Sequence, residues 1–218
     1  MFSDKYGLTQ AVLDGCKTQT RRIISQSLLE KANLFQEEYY EATFDRLEGI
    51  DLLTHYFLTE KIGKLPYKVG EVVAVAQSYK DCGYNENVND IFCEHGRKII
   101  KPIIQSKGWT NKMFVKPILM IHRIRITNVR IQRLQDISDE DCLAEGIEHL
   151  PDGGGLKPYA FYDKTIKVKS EKEGISYGWY RDFDTPREAF ASLIDKVGKK
   201  GDWDKNPFVF VYDFELVK

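Results

Sequence analysis

Several things are scarce in this sequence, and each shortage narrows what the chain can be. Four cysteines, Cys16, Cys82, Cys93 and Cys142, are scattered over 218 residues. They form no disulfide framework and no signal peptide precedes them, which points to free thiols in a reducing cytoplasm. Long hydrophobic runs are missing: the stretch 118–121 is typical of the longest, far below a membrane span, so no membrane partner is expected. An excess of either charge is missing too, with 32 Lys and Arg against 33 Asp and Glu and a net charge of -1. The chain as a whole is therefore not a polybasic nucleic-acid binder, and any such role has to rest on a local patch. Cys82, Cys93 and His95 are too widely spaced for zinc and lack a fourth ligand, so 81–111 reads as a loop insertion and neither metal nor cofactor is expected. No internal repeat or low-complexity tract occurs.

What is present describes an ordinary globular protein, 42% hydrophobic and 30% charged, long enough for one domain with insertions or two small ones. The most informative stretch is Gly15-Cys16-Lys17-Thr18-Gln19-Thr20-Arg21-Arg22. A short helical pattern precedes it, with Thr9 as N-cap and Gly15 where a left-handed C-terminal glycine belongs. The chain then leaves as an extended segment that presents an amine, hydroxyls and guanidinium groups. Such groups bind phosphate and can serve acyl transfer. The same composition also suits a solvated edge strand.

Further along, 25–62 is helical in pattern, with 39–47 open as strand or loop. The run from Glu71 to Tyr79 is rich in β-branched residues and reads as a strand after a turn at Gly70. Between 113 and 134, Ile124 and Ile126 alternate with Arg123, Arg125 and Thr127, and the parity shifts at Asn128. Arginines on that strand fit a phosphate track; they equally fit the wet face of any antiparallel sheet. Ser138 starts a short acid-rich helix closed by Gly146. Glu145 lies at its negative end, where a carboxylate is disfavoured, and a residue that breaks a local rule is a candidate for function. Residues 148–184 combine a triglycine hinge with Tyr159, Phe161, Tyr162, Tyr177, Trp179 and Tyr180, which suits base stacking or a satellite core. Thr185, Pro186 and Glu188 open a core-packing helix. An Asn206-Pro207 turn leads into a last strand of alternating aromatics.

The pattern Gly15-x-Lys17-x-x-Thr20-x-Arg22 resembles the signature of the ASCH family, a branch of the PUA-like β-barrels. Two further segments resemble that family: Gly70-Glu71 through Gln77 and Tyr79, and the run from Leu134 to Ile147 with Glu145 before its glycine. Gln77 stands where many relatives carry Glu, and Tyr79 where Trp is usual; an amide cannot act as a general base but can still read a nucleobase edge. Periodicity by itself gives only mixed α/β with an antiparallel sheet. The resemblance implies an α+β, PUA-like antiparallel β-barrel with flanking helices: one domain over 1–218, its core at about 1–25, 66–80, 112–147 and 185–218, with insertions at about 26–65, 81–111 and 148–184. It also implies a cleft that binds RNA or a modified nucleoside through Gly15, Arg22, Gln77, Tyr79, Arg123 and Arg125, with no obligate protein partner, and an origin in bacteria or phages. Small relatives are amidohydrolases that deacetylate N4-acetylcytidine, and their catalytic residues fall on Lys17, Thr20 and Glu145. In that alternative Thr20 attacks, Lys17 takes its proton and Glu145 serves the leaving amine. Lys17 and Thr20 have opposite parity in a regular strand, so they converge only if the segment bends. A nuclease would need a carboxylate cluster for divalent metal, which the sequence lacks.

Overall fold

The computed structural model describes residues 2–43, 46–84, 91–92, 98–100, 103–150, 156–170 and 174–217. In chain order the elements are α1 (Leu8–Leu13), β1 (Gln19–Ile23), α2 (Gln26–Thr43), α3 (Gly49–Thr54), β2 (Val72–Ala74), β3 (Ile91–Phe92), β4 (Lys98–Ile100), β5 (Arg123–Arg133), α4 (Asp139–Ala144), β6 (Glu148–His149), β7 (Tyr159–Ser170), β8 (Gly174–Phe183), α5 (Pro186–Val197), α6 (Asp202–Lys205) and β9 (Phe208–Val217). The fold is α+β, with several helices and a curled antiparallel half-barrel sheet. Among the described residues no helix is long and apolar enough to cross a membrane.

The chain divides into two compact units. The larger comprises Ser3–Glu71 and Arg125–Glu215. In it β1, β9 and β5 lie side by side, with β1 antiparallel to β9 and Thr20 opposite Tyr212. Val209, Phe210, Val211 and Tyr212 are buried on both faces of β9, and exposure returns toward Asp213 and Glu215. That order follows from the residues: the β-branched and aromatic positions come first and the charges last. On β5, Ile126, Val129 and Ile131 are buried, and the inward parity changes between Thr127 and Asn128, as the sequence pattern requires. Helix α5 is set by its capping box, in which Thr185 Oγ1 accepts from the Glu188 N–H and Glu188 accepts from the Thr185 N–H. It buries Ala189, Phe190 and Leu193. The aromatic segment after Gly146 is a hairpin: β7 and β8 pair antiparallel, and β6 joins β7.

The smaller unit comprises Met1–Phe2, Val72–Ile124 and Leu216–Lys218. Here β2 lies beside the start of β5, continued by the Val75 N–H donating to His122 O at 2.9 Å. Its core gathers Tyr79, Trp109, Leu119 and Met120.

Several boundaries differ from the sequence pattern. Helix α1 starts at Leu8 after a left-handed Gly7, and Thr9 is buried inside it rather than capping it. Tyr39 belongs to α2, which runs unbroken to Thr43. Strand β2 holds only Val72–Ala74, because the backbone of Tyr79 turns to pair with Gly108. The triglycine at 153–155, Cys93 and His95 lie outside the described residues.

Candidate functional site

Helix α1 ends at Leu13 with Asp14 as its C-cap, and Gly15 follows with φ +76°, the left-handed turn the sequence implies. The chain then drops between α1 and α4. The Lys17 N–H donates to Ala11 O, and the Thr18 N–H to Ala144 O, both at 2.9 Å. Lys17 is thereby driven inward and only 2% of it is exposed. Its amine donates to the Glu145 carboxylate and to the Glu145 backbone carbonyl, each at 2.6 Å. Burial holds the Lys17 amine below the ordinary lysine range, against the opposing pull of Glu145.

From Glu145 an ionic lattice spreads over one face of β1. Arg21 reaches Glu145 at 3.2 Å and Asp141 at 2.6 Å, and its guanidinium lies 5.7 Å from the Phe190 ring. Asp141 also receives Arg130 at 2.7 Å and the Gln19 amide at 2.9 Å. Arg130 and Gln19 both continue to Asp213, at 2.8 and 2.7 Å. Desolvation works against ionised Asp141, yet the hydrogen bonds from Gln19 and Arg21 outweigh it and lower its pKa. Cations and carboxylates balance in this lattice, which is the condition for burying them. It also explains why a carboxylate stands at the C-terminal end of α4: two cations face Glu145, and Lys17 caps a helix carbonyl.

Gln19 and Arg21 point into this lattice, so Thr20 and Arg22 project from the opposite face of β1. Both are half-buried there. Tyr212 is the cross-strand neighbour of Thr20, and the Tyr67 ring packs edge-on against it with centroids 5.5 Å apart. Burial pushes the Tyr212 hydroxyl up to about 12, tempered by the Tyr67 backbone amide and by Arg22. That amide makes no hydrogen bond of normal geometry with it, and the buried Tyr212 hydroxyl has no hydrogen-bond partner among the described residues.

The sequence-derived candidates therefore fall into three places. Lys17 and Glu145 meet. Thr20 and Arg22 share the other face of β1, and Gly15 supplies the turn before it. Gln77, Tyr79 and Arg123 belong to the smaller unit. Tyr79 is 1% exposed there, with its hydroxyl accepting from the Lys116 N–H at 2.9 Å and its ring against Gly108, so no ring face is left for stacking. Gln77 keeps a buried Oε1 without a partner among the described residues. Arg123 is exposed. Arg125, itself exposed, pairs with Glu215 at 2.8 Å, and the exposed Arg133 guanidinium lies 3.6 Å from the centroid of the Phe208 ring; with Arg130 also engaged, each arginine of β5 from 125 onward has an intramolecular partner. No cluster of three or more His, Cys, Asp or Glu side chains suited to a metal occurs among the described residues.

Sequence reasoning passed over Tyr67, Gln19 and Tyr212. The alternation of Phe208, Phe210, Tyr212 and Phe214 marked Tyr212 as one more apolar-face residue, and the pairing of β1 with β9 is what sets it against Thr20. No family model matches the chain, and neither a curated protein nor a solved structure does.

Proposed function

We propose that this chain is an ASCH-type, PUA-like domain that binds RNA or a modified nucleoside at the face of β1 and β9 that carries Thr20, Arg22 and Tyr212. The α+β fold with its half-barrel sheet is compatible with that family. The observation that carries the reading is the buried Tyr212 hydroxyl beside Thr20, without a hydrogen-bond partner among the described residues. Buried polar atoms in folded proteins are nearly always satisfied, and one that is not calls for a partner. A ribose hydroxyl or base edge supplies one, Thr20 adds a hydroxyl and Arg22 a guanidinium. Tyr67 is the ring on which the base stacks or which it displaces. The Lys17–Glu145–Arg21 lattice on the other face holds β1 rigid, as a binding site needs.

A hydrolytic reading draws on one specific observation, the buried Lys17 amine held below its ordinary range and 2.6 Å from Glu145. Perturbed lysines cluster at catalytic sites, and structural ion-pair networks perturb them too. Acyl transfer needs the Thr20 hydroxyl within reach of Lys17, whereas the strand turns Thr20 away from the lattice that holds that amine. Binding is therefore favoured over deacetylation.

The test is a titration with N4-acetylcytidine, followed by chromatography for released cytidine. Binding without turnover is expected. Tyr212→Phe weakens it about fivefold, the value of one neutral hydrogen bond, and leaves thermal stability unchanged or raised. Turnover by the wild type that disappears in folded Lys17→Met and Glu145→Gln variants replaces binding with hydrolysis. Failure of the wild type to bind this nucleoside or RNA containing it refutes the site.

A further inference from the structure

Helix α3 runs into a π-helical turn, His55–Thr59, a wide turn often found at functional positions. The chain leaves it through Lys61, a non-glycine residue at φ 56°, and then presses Gly63 onto the aromatic pair below. A Cβ at Gly63 would lie 2.3 Å from the Phe57 ring and 2.6 Å from Tyr56. The N–H groups of Ile62 and Gly63 both donate to Tyr56 O at 3.1 Å. This loop is thus held in one course rather than draped over the surface. It borders a groove of ≈ 740 Å³ with Phe57, Leu65 and Val129 among its apolar lining and Lys61, Lys64 and Lys68 as its charged lining among the described residues. Among the described residues none of these three ammonium groups makes an ion pair. The contrast with β5 is direct: Arg125 and Arg130 are spent on Glu215, Asp141 and Asp213.

We infer that the phosphate-binding track of this protein is the Lys61–Lys64–Lys68 groove and that its ligand is an RNA strand rather than a free nucleoside. This rests on the nucleoside-binding reading above. Tyr67, which packs on Tyr212, stands in the chain between Lys64 and Lys68, so the same loop carries the stacking ring and the cations. The Glu71 carboxylate accepts from the Lys68 backbone N–H, so three lysine ammonium groups without an ion pair among the described residues line one concave groove and suit successive phosphates, each held as a point charge. A single phosphate would leave two of them unmatched. A chain with net charge -1 attracts a polyanion only through such a local patch.

The experiment compares wild type with the triple variant Lys61→Gln, Lys64→Gln, Lys68→Gln. Two probes are used: N4-acetylcytidine, and a labelled single-stranded RNA containing it. All three positions are exposed, and matching circular dichroism and melting confirm that the variant folds. The expected result is unchanged affinity for the nucleoside. Affinity for the RNA falls on the order of tenfold to a hundredfold at low salt, and the slope of log K against log salt flattens by about 2, three contacts at the single-strand value. Unchanged RNA affinity and slope in a variant that still binds the nucleoside overturn the groove and leave the Tyr212 site standing. A wild type that binds neither probe overturns the site itself and the groove with it.

Discussion

At the scale of single residues, Glu145 shows how an apparent defect is resolved by its neighbours. A carboxylate at a helix C-terminus works against the helix dipole, and the sequence offered no compensation within reach along the chain. Lys17 and Arg21 supply it from β1 and the turn before it. Removing the carboxylate strands a buried amine and part of a buried guanidinium. Glu145→Ala should therefore cost about 3–5 kcal/mol, read as a lowered urea midpoint with unchanged m-value. A loss under 1 kcal/mol would mean that water, not protein, surrounds this pair. Glu145 is thus the shared counter-ion of Lys17 and Arg21.

At the scale of elements, the best-specified piece is α5. Thr185, Pro186 and Glu188 form the reciprocal cap that their order implies, because capping needs only residues three apart on one chain. Thr185→Ala removes one half of that cap and should destabilise the protein by about 1 kcal/mol, with the Thr185→Ser variant close to wild type. Equal losses in both would show that the methyl group, not the hydroxyl, matters. The β7–β8 hairpin stands at the other extreme. Its aromatics were legible as a cluster but not as strands, since a register irregularity between Asp163 and Lys167 breaks the two-residue period. That irregularity has a local cause: Thr165 turns back to hydrogen-bond Asp163 through its backbone and its hydroxyl. Strand β2 errs the other way: of a long β-rich run only Val72–Ala74 form regular strand, because propensity says nothing about how far one partner strand runs alongside.

On the scale of the whole molecule, acid stability is governed by buried carboxylates. Burial alone would raise Asp163, which is 0% exposed; hydrogen bonds from Thr165 and Arg181 outweigh it and hold the group at about 2. Asp141 is lowered as well. A carboxylate with a depressed folded pKa stabilises above its unfolded value of 3.8 and loses that contribution as pH falls toward about 2. Asp163 alone accounts for roughly 2 kcal/mol in that window. Urea midpoints should be level from neutral pH to about pH 5 and then drop steeply below pH 4. Asp163→Asn should flatten the drop while lowering the neutral-pH midpoint; an identical acid limb in that variant would remove Asp163 from the account.

The sequence by itself determined what depends on near neighbours along the chain. It specified the left-handed turn at Gly15, the capped helices at Ser138 and Thr185, the alternation of β5 with its parity change at Asn128, and the gradient from buried to wet along β9. Each is a contest among residues a few positions apart, where sterics, caps and periodicity decide. Tertiary structure alone decided which faces those elements share. It joined Lys17 to Glu145, turned Thr20 toward Tyr212 and away from the lattice, paired Arg125 and Arg130 with carboxylates, and left Lys61, Lys64 and Lys68 without an ion pair among the described residues. Those outcomes rest on strand pairing and charge compensation between segments far apart in sequence, and no local pattern encodes the partner.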